Sequence, residues 1–103
     1  MALTKVSYSD NEKLELGTGD DLKIWHSGGH SFIQDEGTGN LYIDSNQLYL
    51  RNADTDNVLL QTTSAGATKI KYNGSDTAVI ETTSTGAKVT GQLEITTGSN
   101  SFI

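Results

Sequence analysis

A chain of 103 residues has room for one ordinary domain or for several copies of a small repeat. It contains no cysteine and no proline, which excludes disulfides, thiolate metal sites and a cysteine nucleophile. The 7 Lys+Arg against 13 Asp+Glu give a formal charge of −6, which leaves no basic face for nucleic acid and repels anionic lipid, and no apolar run exceeds three residues, so neither membrane insertion nor a signal peptide is expected.

Taken in chain order, residues 1–13 read as an N-terminal segment and residues 14–103 as a β-repeat domain. Apolar residues spaced by two recur through that domain: Leu14 and Leu16, Leu22 and Ile24, Leu41 and Ile43, Leu48 and Leu50, Leu93 and Ile95. A spacing of two puts both side chains on one face of a strand. Between the pairs stand "GTGD", "HSGGH", "EGTGN", "DSNQ", "NADTDN", "SAG", "NGSD" and "STG", rich in residues that tolerate turn geometry. The strands are therefore short, about three to five residues. No window carries a sustained helical period, and 14 Thr, 10 Ser and 11 Gly disfavour helix, so the fold class is all-β.

The turns and strands repeat. "NVLLQTTSAGA" (57–67) and "TAVIETTSTGA" (77–87) align without gaps at an offset of 20, and "GTGDDLKI" (17–24) matches "GTGNLYI" (37–43) with one deletion. Repeats of this length mark stacked architectures, whose units bury an apolar face only against neighbouring units or chains. Leu, Ile, Val and Phe together number 23 of 103 residues, a thin supply for a lone monomer, and association would add the missing burial.

The combination of GTGDDL, IWHSGGHS, GTGNLYI and TTSTG, spread between Leu14 and Ile95, resembles the repeat region of tail-fibre and related virion structural proteins of tailed phages, particularly those infecting marine bacteria. The opening "MALTKVSYS" also looks like the start of such fibre proteins, although here it runs almost directly into the repeats. The resemblance implies a parallel homotrimer wound as a β-helix or β-prism and located in the virion. It also implies partners among other tail or appendage proteins and a structural role as shaft or spacer rather than as an enzyme. The alternative role is a receptor- or glycan-binding module of the same fibre, in which Trp25, Tyr42, Tyr49 and Tyr72 would stack on sugars of a host surface.

Other chemistry has weaker support in the residues. His26 and His30 flank "SGG", and a hairpin there would let two imidazoles share a metal ion; the simpler reading is packing and hydrogen bonding on a repeat surface, with no metal and no cofactor. Asn52, Asp54 and Asp56 alternate as in a calcium loop, but the glycine and glutamate that an EF-hand needs are replaced by Asn57 and Thr63. Ser27 or Ser31 with His26 or His30 and Asp20 or Asp21 lacks a nucleophile elbow, and Asp35 and Glu36, as neighbours, cannot flank a glycosidic bond as a strand pair. Both G-x-G sequences lack the lysine and helix of a phosphate loop. An ice-binding solenoid would want regular Thr-x-Thr rows, which the "TTS" triplets do not supply.

Overall fold

A computed structural model describes residues 4–96, and the chain divides into two units, Met1–Ile43 and Asp44–Ile103. The boundary falls inside the segment that the sequence presents as one repeat domain. The described residues form eight strands, all paired antiparallel, and no helix.

The first unit is a three-stranded meander of β1 (Lys13–Leu16), β2 (Leu22–His26) and β3 (Ser31–Asp35). Its register places Leu14 opposite Ile24 and Ile24 opposite Ile33, with Leu16 opposite Leu22 in the next row. Side-chain alternation then puts these residues on one face and Lys13, Trp25 and Phe32 on the other. A five-residue turn, 17–21, joins β1 to β2, with positive φ at Gly17 and Asp20. The β2–β3 turn has positive φ at Gly28 (+99°) but not at Gly29, the pattern of a type II′ hairpin. Before β1, Ser9 and Glu12 close a turn by two hydrogen bonds, and the Asn11 N–H donates to the His26 carbonyl at 2.7 Å.

The second unit is a five-stranded meander of β4 (Tyr49–Arg51), β5 (Val58–Thr62), β6 (Thr68–Ile70), β7 (Ile80–Thr83) and β8 (Gly86–Val89). Here the twenty-residue period is one hairpin. The same cross-strand bond occurs twice, twenty residues apart: Leu48 N–H donates to Thr62 Oγ1 and Thr68 N–H donates to Thr82 Oγ1, both at 2.9 Å. Each threonine sits where its hydroxyl extends the ladder at the start of a turn. The two turns differ by one residue, because Thr63 pairs with Ala67 whereas Thr83 pairs with Gly86. Among the described residues the sheets are open meanders, without a closed barrel or a solenoid coil.

Two expected strands are not formed. Leu41 to Ile43 and Leu93 to Ile95 lie outside strands, and Leu48 precedes β4 although its carbonyl accepts from Thr62 N–H. Alternation selects a face, but a strand also needs a paired neighbour, and these two segments make no backbone hydrogen bond to any described residue.

Between β6 and β7, Asn73 and Gly74 both have positive φ, as a type I′ turn requires. Asn57 Nδ2 donates to Asn73 Oδ1 at 2.8 Å, and the same Asn57 crowds Gly74, where an added Cβ would lie 2.8 Å from its Oδ1. At Gly66, φ is also positive (+103°) but nothing lies within 4 Å of such a Cβ. Gly74→Ala therefore meets conformational strain plus a clash, and Gly66→Ala meets strain alone. Denaturant titration should show Gly74→Ala losing about 2–3 kcal/mol and Gly66→Ala about 1 kcal/mol.

Candidate functional site

The feature that a function can be built on is a face rather than a cleft. In the second unit the register aligns Leu50, Leu60, Ile70, Ile80 and Val89 in one row across all five strands. At about 4.8 Å between strands, the row is roughly 19 Å long. Thr62, Thr68, Thr82 and Ala87 form the neighbouring row on the same face, and Tyr49, Gln61, Lys69, Glu81 and Lys88 line up on the opposite one. The polar row is laced by Lys69 to Glu81 at 3.6 Å.

No described residue of the unit covers the apolar row. Leu50 is 52% exposed, Ile70 43%, and Ile80 and Val89 about as much, with Leu60 half-buried. Ala78 alone among the described residues is a buried hydrophobic side chain. A sheet with one apolar face is stable when a second layer packs on it. Covering five half-exposed side chains is worth about 1 kcal/mol each, a sum on the order of the net stability of a small domain. The first unit also leaves an aliphatic row open, with Leu14 and Ile24 about 40% exposed and Ile33 64%, while its other face carries the Trp25 and Phe32 stack.

The residues singled out from sequence fall in different places. The hairpin expected at "HSGGH" is present, with Ser27 N–H donating to the His30 carbonyl at 2.8 Å. It does not bring the histidines together. His26 is opposite Ser31, with Nδ1 and Oγ 2.9 Å apart, so it shares the face of Ile24; His30 falls on the opposite face, edge-on to Phe32. Strand alternation therefore keeps a single ion from bridging both rings within one sheet. The His26 and Ser31 contact is a cross-strand hydrogen bond in regular strand, and no carboxylate joins it among the described residues.

Trp25 sits between its strand neighbours: Phe32 of β3 stacks on it at 4.4 Å and 14°, while Lys13 Nζ of β1 stands 4.5 Å from the ring centre. The offset stack and the cation together cover the indole, which leaves it a packed ring rather than an open sugar platform. Tyr49 is tied down by its hydroxyl, which donates to Gln47 Oε1 at 2.8 Å. Tyr42 and Tyr72 are 74% and 77% exposed and belong to different units. At the supposed calcium loop, Asn52 Oδ1 accepts the Asp54 N–H at 2.9 Å, an Asx turn that uses the oxygen a cation would need.

Sequence reasoning missed the row itself. Its signal is the spacing of ten at positions 50, 60, 70 and 80, half of the repeat that was seen. Comparison with family models, with curated proteins and with solved structures finds no match to this chain.

One ion pair on the polar side of the first sheet is tight. Lys23 Nζ donates to Glu36 Oε2 at 2.8 Å; this bond, more than the charge attraction that accompanies it, holds Glu36 below the usual carboxylate range and Lys23 above the usual lysine one. Glu36 has the lower value when folded, so its contribution is full above about pH 4.3, the unfolded value, and is lost as pH falls through the folded one. The Lys23 contribution is full below its ordinary value and is lost only at higher, strongly alkaline pH. Melting temperatures should therefore favour the parent over Glu36→Gln at pH 7, with the difference closing as the pH is lowered toward 3.

Proposed function

We propose that this chain is a structural element of a phage tail fibre or virion appendage, a homotrimeric β-repeat spacer whose apolar sheet faces meet at a common axis. The observation that carries the reading is the row of Leu50, Leu60, Ile70, Ile80 and Val89, aligned across the whole second sheet and left open to water by the described residues. Identical copies are the simplest cover, because each brings the same apolar face. Three such faces turned inward form a three-sided prism, with the rows of Tyr49, Gln61, Lys69, Glu81 and Lys88 outward. Of the two geometries that the fibre resemblance implies, open antiparallel meanders favour this prism over a β-helix of stacked coils.

A spacer role also suits what surrounds the row. The repeat unit is a hairpin that adds length, and among the described residues the polar face carries alternating charge rather than a convergent set of acids, bases or ligands. Within the fibre, the partners are further copies of the chain and neighbouring tail or appendage proteins. The second reading, a receptor- or glycan-binding module, draws on the exposed Tyr42 and Tyr72. It ranks below the first because Trp25 and Tyr49 are already engaged.

Sedimentation equilibrium separates these outcomes. The parent chain should have three times the monomer mass. Ile70→Asp, which puts a carboxylate in the middle of the row, should be monomeric at micromolar concentration, since burying an unpaired charge costs several kcal/mol. Gln61→Asp, on the opposite face of the adjoining strand, has the same change in charge and should remain trimeric. Equal behaviour of the two variants would place the association surface elsewhere.

A further inference from the structure

The segment that follows β3 repeats the one that follows β1. Five residues, 17–21, separate Leu16 from Leu22, and five residues, 36–40, separate Asp35 from Leu41; each loop contains Gly-Thr-Gly, and each is followed by an apolar pair at spacing two. After the first loop the chain returns as β2, with Leu22 opposite Leu16 and Ile24 opposite Leu14. After the second it does not. Leu41, Tyr42 and Ile43 make no backbone hydrogen bond to any described residue, and Ile43 is 62% exposed.

The free edge beside this segment is unlike the others. The outer strands of the two sheets are β1, β3, β4 and β8, and three of them carry a lysine or arginine: Lys13 in β1, Arg51 in β4 and Lys88 in β8. A charge of this kind deters further strand pairing. β3 reads Ser-Phe-Ile-Gln-Asp, without a cation, and is five residues long. An edge without a cation, whose one charge is Asp35 at its end with Oδ1 accepting the Gly37 N–H, and which includes Phe32 and Ile33, is one that natural sheets pair or cover.

We propose that Leu41–Ile43 is a fourth strand of the first sheet, laid antiparallel on the free edge of β3 when copies of the chain cover the sheet's apolar face. By the geometry of the β1–β2 hairpin, Leu41 lies opposite Asp35 and Ile43 opposite Ile33. This register extends the row of Leu14, Ile24 and Ile33 by Ile43, at spacings of ten, nine and ten, and makes it a counterpart of the row in the second sheet. It also turns Tyr42 to the polar face, beside Gln34. In the isolated chain the pairing would order the backbone for little burial, because the row of four stays open to water on its outer side. A packed layer over that row reverses the balance. The strand thus forms with assembly, and this inference rests on the self-association proposed above.

NMR of the unaltered full chain at assembling concentration tests it, with mass measured on the same sample. If the mass is that of a trimer, the Leu41 to Ile43 amides should exchange at least ~100-fold more slowly than in an unstructured peptide, and a cross-strand Hα contact between Gln34 and Tyr42, the pair without mutual backbone hydrogen bonds, should be seen. In trimers mixed from isotopically labelled and unlabelled chains, that contact should stay within one chain. A trimer with freely exchanging Leu41 to Ile43 overturns the fourth strand and leaves the spacer reading standing. A contact found only between chains overturns the placement on the chain's own β3. A monomeric mass removes the assembly reading and the inference with it.

Discussion

The structure depends on one constraint: antiparallel pairing at a fixed register sends every apolar strand residue of a row to the same side of a single-layer sheet. Leu50, Leu60, Ile70, Ile80 and Val89 lie side by side because each hairpin returns the chain with its alternation in phase. A slip of one residue in any turn would move the following apolar residue to the polar face. The connections differ in length, and a bulge shifts the register between Leu50 and Arg51, yet the row is kept. The turn that pairs Thr83 with Gly86 is one residue shorter than its counterpart, and Val89 follows Ile80 by nine rather than ten. Phase, not strict spacing, is what the chain maintains.

That constraint also explains why so little of the chain is interior. Short strands with Thr, Ser and Gly between them satisfy the backbone through ladders and Thr or Asn side chains, as in the paired Thr62 and Thr82 bonds and the Asn52 Asx turn. Backbone satisfaction defines the hairpins; it does not bury the row. In a repeat architecture the burial comes from neighbours, so each added hairpin supplies both more sheet and more surface in need of a cover. A sheet built this way gains length with each hairpin and leaves more apolar surface to be covered.

Much of this was legible in the sequence. The all-β class, the short strands and most of the turns follow from alternation and from Gly, Asn, Asp and Ser clusters, and "HSGGH" does form a hairpin. Leu41, Ile43, Leu93 and Ile95 show the limit of alternation: it names a face but cannot supply a pairing edge, which depends on where the rest of the chain runs. The histidines show a second limit. Their fate turned on a single register step that put Ser31, not His30, opposite His26. Trp25 was visible as an aromatic in a strand, but its cover came from residues on two other strands, Lys13 and Phe32, whose alignment no local pattern reveals.

The central claim is that the apolar row is interior in the working protein. Methyl relaxation by a soluble paramagnetic agent reads this directly, residue by residue, in the native protein. The account predicts that the methyls of Leu50, Leu60, Ile70, Ile80 and Val89 are shielded at assembling concentration and become relaxed on dilution to single chains. Strong relaxation of those methyls at every concentration, with the protein folded throughout, would contradict it.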